Sequence, residues 1–407
     1  MRILLIHQYY LEKDGAGISR FNQFVKYWTR AGHEVTVICG MIHYMTGTKP
    51  KEYRGKFITK EHDGTAEIVR VYVSDSYNKN FMGRMWGYVS FMLSACAALF
   101  TIKRHDVVIT TSPPLHVGVP GIVASKLWNI PLVFEVRDLW PESAIEIGVL
   151  ANKTLIKISY WLEALLYKHA TCINVLTPAF KKILINKKNV PAEKIAYIPN
   201  GADIDLLVQT TDRDTMRKIL NLHGKFVALY IGAHGIANCL DQILDAAHLL
   251  KNQSDIIFLL VGTGMKKQEL IDRARTENLT NVRFMDPVRK DEIANILYAS
   301  DVGLAVLKKI DIFKTVYPNK VFDYMVCAKP VVVAIDGAAR ELVKKAQAGI
   351  YVEPENPQAL ADAVNKLRTD ADMRTTMGTN GNEFVVANFS REKLAHEYLD
   401  LLGRNDM

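Results

Sequence analysis

The sequence lacks the features that mark several distinctive classes of protein. Its five cysteines lie far apart and form no Cys-x-x-Cys pair, which argues against a disulfide framework and a zinc site and favours a reducing compartment. No low-complexity tract is present. Residues 1–10 contain one arginine and a run of four aliphatic residues, a pattern typical of a buried first strand and not of a signal peptide.

A long, undiluted apolar run is also missing. Residues 81–102 come closest, but Gly, Ser and Cys dilute them, Arg84 lies among them, and Lys103 and Arg104 follow directly. The stretch after Arg84 only just reaches the length that a bilayer span needs. We expect a helix that lies in a membrane interface or packs on its domain without crossing, and a helix buried in the core is the alternative.

Acidic residues are scarce in one stretch of a chain whose net charge is +8. Between residues 153 and 194, eight lysines stand against two glutamates. Such a surplus indicates an anionic partner. No RNA-binding motif or base-stacking series of aromatic residues accompanies the lysines, so nucleic acid is disfavoured. An anionic membrane surface and a merely solvated face remain as interpretations.

Short aliphatic runs alternate with amphipathic patterns, which predicts parallel strands covered by helices. At 407 residues the chain is too long for one ordinary core, and a turn-forming Pro-Asn-Gly at 199–201 divides the alternation in two. We therefore predict two doubly wound α/β domains, at 1–198 and 206–390, with a helix in 391–407 that packs back on the first. The predicted strands are 2–6, 35–39, 67–73, 107–111, 132–136, 172–176 and 195–198, then 226–231, 256–261, 282–284, 302–306 and 331–335.

The loop after the first strand, residues 11–20, is rich in glycine and ends in arginine. Gly15 and Gly17 would let the backbone approach a ligand, and Arg20 would add charge at a helix N-terminus, which suits the phosphate of a lipid diphosphate acceptor. Arg20 stands where a Gly-x-Gly-x-x-Gly fingerprint has its third glycine, and no acid ends the second strand, so a dinucleotide site is disfavoured. A plain tight turn is the simpler interpretation.

Three loops of the second series carry groups suited to a nucleoside diphosphate. Strands 226–231 and 256–261 both run into glycines, and residues 314–333 form a polar loop, a helix and a buried strand. Lys320 offers a positive charge for phosphate, and Asp323 offers a carboxylate for the two hydroxyls of a ribose. A capping role for Asp323 is the alternative. The donor-binding residues predicted in these loops are His234, Gly235, Gly262, Asn319, Lys320 and Asp323.

These segments resemble glycosyltransferase family 4. The likeness rests on residues 198–203, 261–264 and 318–331, and it spans nearly the whole chain in the expected order. It implies a GT-B fold, in which two Rossmann-like doubly wound domains face a central cleft. It also implies a nucleotide sugar, by family analogy a UDP-sugar, bound as a substrate by the second domain. Transfer would retain the anomeric configuration, with no metal and no cofactor.

Four further segments narrow the resemblance. Residues 111–114 and 135–143 look like the branch that builds O-antigen and capsule repeats, and residues 7–10 and 15–20 are similar to its N-acetyl-L-fucosamine transferases. This branch implies a polyprenyl-diphosphate-linked saccharide as acceptor. It also implies a peripheral enzyme on the cytosolic face of a bacterial inner membrane.

Family positions transfer to this chain one at a time. Asp323 matches the second acid of the family's Glu-x7-Glu motif, the ribose ligand, whereas the first acid falls at Thr315. That departure would suit an N-acetylated or deoxy sugar. Glu341 matches a further family glutamate, although a helix-surface acid is the alternative. Val288 stands where related enzymes hold the base through backbone atoms.

The predicted catalytic residues are Asp138 and His116. Asp138 follows strand 132–136, so it would face the cleft and orient the acceptor hydroxyl or the donor. Arg137 stands where many relatives carry histidine, and we assign it to the acceptor. A structural histidine is the alternative for His116. The leaving diphosphate would be stabilised by Lys320, helix N-termini and the glycine loops.

Two other functions fit parts of the pattern. A nucleotide-sugar 2-epimerase shares the architecture and the ligand, but the chain lacks that family's N-terminal Gly-Thr-Arg-Pro-Glu signature. A non-catalytic nucleotide-sugar or lipid-binding protein is the third interpretation. Nucleotide released only in the presence of a lipid acceptor would separate the transferase from both.

Overall fold

The computed structural model describes residues 1–10, 20–43, 47–77, 81–206, 208–288 and 290–404. The chain forms two compact units: unit 1 comprises Met1–Pro199 and Glu392–Met407, and unit 2 comprises Asn200–Arg391. Residues 200–205, which fall between the two domains predicted from the sequence, thus lie in unit 2.

Unit 1 contains a largely parallel sheet. Its strands are β1 (Arg2–Ile6), β2 (Glu34–Gly40), β3 (Ile58–His62), β4 (Glu67–Val71), β5 (Val107–Ser112), β6 (Leu132–Val136), β7 (Cys172–Val175) and β8 (Ile195–Tyr197). They follow the order β3-β4-β2-β1-β5-β6-β7-β8, in which β3 runs antiparallel to β4 and the other described neighbours are parallel. The strand order reverses at β1, which lies between β2 and β5. Open α/β sheets bind ligands at such a switch point.

Helices cover the sheet of unit 1. They are α1 (Arg20–Arg30), α2 (Phe81–Ala98), α3 (Gly118–Trp128), α4 (Glu142–Glu146), α5 (Lys153–His169) and α6 (Pro178–Lys188), and most of α15 (Arg391–Leu402) joins them. The α15 helix packs on α1, where Tyr398 meets Phe24 and Trp28 with ring centroids 5.7 and 5.5 Å away. Trp28 also donates a 3.0 Å hydrogen bond to the Ala395 carbonyl.

Unit 2 repeats the doubly wound plan with six parallel strands. These are β9 (Phe226–Ile231), β10 (Ile256–Val261), β11 (Val282–Met285), β12 (Val302–Val306), β13 (Val331–Ala334) and β14 (Gly349–Tyr351), in the order β11-β10-β9-β12-β13-β14. The helices are α7 (Arg213–Ile219), α8 (Asp241–Leu249), α9 (Lys267–Thr276), α10 (Lys290–Ala299), α11 (Asn319–Val326), α12 (Ala338–Lys345), α13 (Pro357–Thr369) and α14 (Ala371–Phe389). Here the order reverses at β9.

Continuous aliphatic runs explain the central strands. All the residues of β10 and β12 are buried, as expected where helices cover both faces of a parallel sheet. Every strand predicted from the sequence is present, but β3 and β14 were missed. The β3 strand is a partly exposed edge strand that carries lysine and glutamate, and β14 has only three residues, so neither forms an aliphatic run.

The apolar stretch near residue 90 forms α2, which packs on unit 1 along one side. Ser90, Phe91 and Ser94 are buried on that side, whereas Trp86 and Leu93 are exposed. The alternative of a wholly buried core helix is therefore wrong. In the described part of the chain, no helix combines the length and apolarity that a membrane span requires.

Candidate active site

Two glycine loops meet at the carboxyl ends of β9 and β10. Gly232 has a φ of 142° and Gly262 a φ of 146°. A Cβ on Gly262 would lie 1.9 Å from the Gly232 carbonyl oxygen, so only glycine allows this approach. Hydrogen bonds of 2.9 Å join Gly232 N to Val261 O and His234 N to Thr263 O. The two loops therefore form one continuous backbone surface.

The imidazole of His234 lies in this surface without a polar partner. The residue is fully buried, and neither ring nitrogen is hydrogen-bonded to any described residue. Burial, reinforced by the charges of Lys267 and Lys320, lowers its pKa to about 4, so the ring is neutral at pH 7. An unsatisfied buried polar group costs about 1–3 kcal/mol. A ligand oxygen that accepted the ring N–H would recover part of that cost.

Lys320, near the start of α11, reaches over the Gly232 loop. Its Nζ lies 3.6 Å from the centroid of the Tyr230 ring, and a Cβ on Gly232 would lie 3.0 Å from that Nζ. Removal from water lowers the Lys320 pKa to about 7, although the nearby Asp323 opposes the shift. Among the described residues, no carboxylate lies within ion-pair distance of this ammonium. An ammonium held over an aromatic face and next to a glycine loop is suited to an anionic ligand.

Asp323 lies one turn further along α11, in a charged cluster. Burial raises its pKa to about 7, the Asp203 carboxylate adds to the rise, and Arg391 and Lys320 oppose it. Arg391 donates from Nε to Asp203 at 2.8 Å, and both side chains are buried. It also donates to the Asn200 carbonyl at 2.6 Å. We did not predict this pair, because its members lie 188 residues apart and no local pattern links them.

Three other predicted donor residues lie around these loops. Asn319 begins α11, and its Oδ1 accepts a 2.8 Å hydrogen bond from the amide of Asn200. Gly235 precedes the short helical turn Ile236–Asn238. Val288, beyond the end of β11, is half-buried against the core of unit 2.

The remaining two predicted donor residues lie in adjoining segments. Thr315 is buried at the end of the turn Asp311–Thr315, where its hydroxyl donates to the Ile312 carbonyl at 2.5 Å. Glu341 is exposed in the first turn of α12, with Oε1 3.6 Å from the Nε of Arg340. A Cβ on Gly337, which precedes α12, would lie 2.1 Å from the Lys314 carbonyl, so the start of α12 contacts this turn.

A different set of groups occupies the strand ends of unit 1. His7, directly after β1, has Nδ1 2.8 Å from the hydroxyl of Thr111 in β5. His116 has Nε2 2.8 Å from Gln8 Oε1, which places its ring proton on Nε2, and the Tyr88 ring stacks on it at 4.5 Å. Burial lowers the pKa of both histidines to about 3. Gln8 Nε2 is buried with no hydrogen-bond partner among the described residues.

Asp138 and Arg137 follow β6 at the same edge of this sheet. The Ser143 hydroxyl donates to Asp138 Oδ2 at 2.8 Å. Burial nevertheless raises the Asp138 pKa above its usual range, because it outweighs the hydrogen bonds from Ser143 and the Leu139 amide. Arg137 is close enough to contribute to the lowered pKa of His7. These side chains and the two histidines thus lie at the carboxyl ends of neighbouring strands.

Arg20 differs from our expectation of an acceptor-binding side chain. Its guanidinium is buried, donates to the Ile198 carbonyl at 2.9 Å and to the Pro199 carbonyl, and has Nε 3.3 Å from Glu135 Oε1. Asn174 donates to the same carboxylate at 3.1 Å. Arg20 therefore ties the start of α1 to the end of β8 inside unit 1. Gly15 and Gly17 lie outside the described residues.

Two protein-family models match the chain. The Glycosyl transferase 4-like domain matches residues 15–201, and Glycosyl transferases group 1 matches residues 212–384. Together they leave only the two ends and a short segment between them unmatched.

Individual relatives agree with these matches. The chain is 25% identical to the Escherichia coli UDP-Gal:alpha-D-GlcNAc-diphosphoundecaprenol alpha-1,3-galactosyltransferase, over 81% of this chain and 84% of that protein. The Anabaena protein Alr3699/HepE in complex with UDP superposes with a TM-score of 0.73 at 19% identity, over 99% of both chains. Sucrose-phosphate synthase from Thermosynechococcus elongatus gives a TM-score of 0.76 at 19% identity, over 98% of both.

The fold of these structures is the GT-B fold that the sequence predicted. The likeness to N-acetyl-L-fucosamine transferases stays a prediction, because the E. coli relative is a galactosyltransferase. Residues 15–201 thus match a glycosyl transferase 4-like domain and residues 212–384 a group 1 glycosyl transferase domain, on a GT-B fold.

Proposed function

We propose that the chain is a retaining, metal-independent glycosyltransferase that uses a UDP-sugar. The observation that carries this proposal is Lys320, whose Nζ lies over the Gly232 loop beside the unpartnered His234. The oxygens of a diphosphate would pair with the ammonium and accept hydrogen bonds from the ring and the backbone amides. The complex of the Anabaena relative with UDP supports the choice of nucleotide.

The donor then extends from the diphosphate in both directions. Asp323 accepts the ribose hydroxyls, and the backbone at Val288 holds the base. Gly235 and Gly262 line the diphosphate. Asn319, Thr315 and Glu341 face the sugar.

The donor sugar is an N-acetylated or deoxy hexose, such as N-acetyl-L-fucosamine. The support is Thr315, which stands where the family's first acid would bind sugar hydroxyls. A threonine offers the sugar ring no carboxylate, and the hydroxyl of Thr315 already donates to the Ile312 carbonyl.

In the transfer, the bond from the anomeric carbon to the leaving phosphate oxygen breaks as the acceptor oxygen bonds to that carbon on the same face. The leaving phosphate takes the proton of the acceptor hydroxyl. Negative charge grows on the diphosphate, and Lys320 with the glycine loops stabilises it. In this proposal the chain's own groups stabilise that charge, without a metal.

The acceptor is a polyprenyl-diphosphate-linked saccharide, in the synthesis of an O-antigen or capsule repeat. The E. coli relative, a galactosyltransferase named for a GlcNAc-diphosphoundecaprenol substrate, supports this class. Asp138 orients the acceptor hydroxyl, while Arg137, with Gly15 and Gly17, receives the acceptor. His116 completes this side. We leave out Arg20, because its guanidinium is bound within unit 1.

The enzyme works at the cytosolic face of the bacterial inner membrane, to which it binds peripherally. A lipid-linked acceptor requires access to a bilayer surface, and the net charge of +8 favours an anionic one.

A thermal-shift screen against UDP, GDP, ADP and a panel of UDP-sugars tests the donor site. We expect UDP to raise the melting temperature, and one UDP-N-acetyl sugar to raise it further, because ligands that bind only the folded state stabilise it. If no nucleotide shifts the melting temperature, the donor-site proposal is wrong.

Nucleotide release measured with and without lipid-linked saccharide then tests the reaction. A transferase releases UDP only with the acceptor, an epimerase converts the UDP-sugar without it, and a binding protein does neither. We expect release to need the acceptor and to persist in excess EDTA. Loss of turnover in EDTA that added Mg²⁺ or Mn²⁺ restores would contradict metal independence.

A further inference from the structure

The α2 helix has one side packed on unit 1 and one side exposed. On the packed side, the Ser90 hydroxyl accepts a hydrogen bond from Ser74 N at 2.9 Å, and the Ser94 hydroxyl donates to the Tyr72 carbonyl at 2.7 Å. A Cβ on Gly83 would lie 2.0 Å from the Ser76 carbonyl. The small residues that dilute this helix therefore serve close packing, which fixes its orientation.

The exposed side carries a stripe of large apolar side chains. Met82 is 71% exposed, Trp86 53% and Leu93 56%, with Val89 between the last two. Their spacing of four, three and four residues puts them on one face of the helix. Phe100, 75% exposed in the turn Leu99–Thr101 that continues the helix, extends the same series. We call these five residues the α2 stripe.

The segment of the sequence that contains the α2 stripe carries charges of one sign. Between residues 81 and 105 the sequence contains no Asp or Glu. Arg84, Lys103 and Arg104 are exposed in that stretch. An apolar helix face followed directly by the exposed Lys103 and Arg104 matches the chemistry of an anionic lipid surface, where apolar side chains enter the acyl boundary and cations meet the headgroups.

The lysines between residues 153 and 194 are a weaker candidate for the contact with an anionic membrane surface. Lys188 forms ion pairs with Glu142 and Glu163, Lys181 donates to the Ile195 carbonyl, and Lys194 donates to the Tyr167 carbonyl. Three of the eight lysines thus bind within unit 1.

We infer that the α2 stripe is the element by which the protein enters the interface of an anionic bilayer. This inference rests on the proposed function, because it supplies the surface from which a lipid-linked acceptor is taken. The inner side of the same helix contacts His116, one of the predicted catalytic residues: Tyr88 stacks on His116 at 4.5 Å, and the Phe91 ring lies 5.9 Å from it. Insertion of α2 would therefore leave one helix between the headgroup region and His116.

Quenching of tryptophan fluorescence by brominated lipids locates the contact. The probe is vesicles of phosphatidylcholine with anionic phosphatidylglycerol, brominated near the headgroup. We expect quenching in the wild type, little quenching in Trp86→Phe, which keeps an apolar side chain, and retained vesicle binding in both. Trp161→Phe is the control, because Trp161 is also exposed but lies on α5. If Trp161→Phe and not Trp86→Phe abolishes quenching, the inference is overturned.

Vesicle co-sedimentation measures the energetic contribution of the stripe. We expect the double variant Trp86→Ser/Leu93→Ser to bind anionic vesicles at least about tenfold more weakly, since two large apolar side chains no longer leave water. The matched control is Ile219→Ser/Leu249→Ser, which removes two similarly exposed apolar side chains from unit 2. Lys103→Gln/Arg104→Gln should weaken binding at low salt more than at high salt.

Other occupants of the stripe give different results. If wild type binds no vesicles and light scattering shows a dimer that Trp86→Ser/Leu93→Ser dissociates, a second copy covers the stripe and the inference fails. Equal vesicle binding by wild type and the double variant also overturns it. The UDP thermal shift, measured without vesicles, should be the same in all these variants. Loss of the UDP response in the wild type itself contradicts the proposed function and leaves the vesicle result to be judged separately.

Discussion

Unit 1 and unit 2 place different chemistry at the same position of a doubly wound sheet. In unit 2, the strand ends hold Lys320 and Asp323, whose pKa values are both shifted to about 7. In unit 1, the strand ends hold His7 and His116, whose pKa values are lowered to about 3. Unit 2 thus keeps a lysine and an aspartate that change charge near neutrality, whereas the two histidines at the strand ends of unit 1 stay neutral.

This difference suits two kinds of ligand. A charged diphosphate can restore the protonated form of a desolvated lysine, because an opposite charge raises its pKa. The sugar ring of the proposed acceptor offers hydroxyls, and neutral hydrogen-bonding groups such as Gln8 bind these without a large desolvation cost. The predictions below test this division, from the largest expected effect to the smallest.

Lys320→Met removes the ammonium that we assign to the diphosphate in unit 2. We expect turnover to fall by about 10²–10³-fold, the cost of removing one group that stabilises a developing anion. The melting temperature should stay the same or rise, because the variant removes a desolvated ammonium. Steady-state kinetics and a thermal melt measure the two effects.

Lys329→Met is the matched control for that variant. Lys329 is also in unit 2, and burial lowers its pKa to about 8, but its ammonium donates to the Tyr298 carbonyl at 3.0 Å. Its turnover should match the wild type. An equal loss in both variants would show that any buried lysine of unit 2 matters, and would remove the special role of Lys320.

Arg20→Met should show that unit 1 uses its buried arginine for structure. The change leaves Glu135 buried without its ion pair, which costs about 3–5 kcal/mol of unfolding free energy. Denaturant unfolding measures the loss. The control, Arg2→Met, removes the half-exposed pair with Asp106 and should cost no more than about 1 kcal/mol. Unchanged stability with lost turnover in Arg20→Met would instead restore Arg20 to the acceptor site.

The two arginine pairs also show where prediction from sequence ends. Aliphatic runs predicted the parallel strands because burial on both faces leaves a local signature, and glycine loops predicted where the chain turns at the strand ends. The Arg20–Glu135 and Arg391–Asp203 pairs leave no local signature in the sequence, since only the fold brings their members together. Lys320 and Asp323 were predicted from the sequence to bind the donor. Their shifted pKa values could not be predicted, because they depend on burial, which no sequence motif indicates.

Asp323→Asn should weaken UDP binding by about 10- to 100-fold, the range expected for hydrogen bonds to a charged group. The fold should persist, because the variant removes a carboxylate that burial disfavours. Titration calorimetry with UDP measures the affinity. The control is Asp255→Asn, the same change at a residue that directly precedes β10 and pairs with Arg368. It should leave UDP affinity unchanged. A loss of folding with unchanged UDP affinity in Asp323→Asn would contradict its role as ribose ligand.

The pH dependence of UDP affinity sharpens the comparison further. Below about pH 7, Asp323 is protonated and cannot accept both ribose hydroxyls, so affinity falls toward acid. Above about pH 7, Lys320 loses its proton and must regain it when the diphosphate binds, so affinity falls again, by up to about tenfold per pH unit. Asp203 and Arg391 also influence the pKa of Asp323. They therefore shift the pH at which UDP affinity falls on the acid side, but they do not abolish that fall.

His7 and His116 should add nothing to this curve between pH 5 and 9, because their pKa values lie near 3 and both rings stay neutral throughout. His116→Asn should therefore shift neither limb of the UDP affinity curve, and the turnover curve of that variant should keep the wild-type shape at a lower height. A limb near pH 6.5 that disappears in His116→Asn would show a titrating histidine. In that case a group at the strand ends of unit 1 also changes charge near neutrality, and the proposed difference between the two units would be wrong for unit 1.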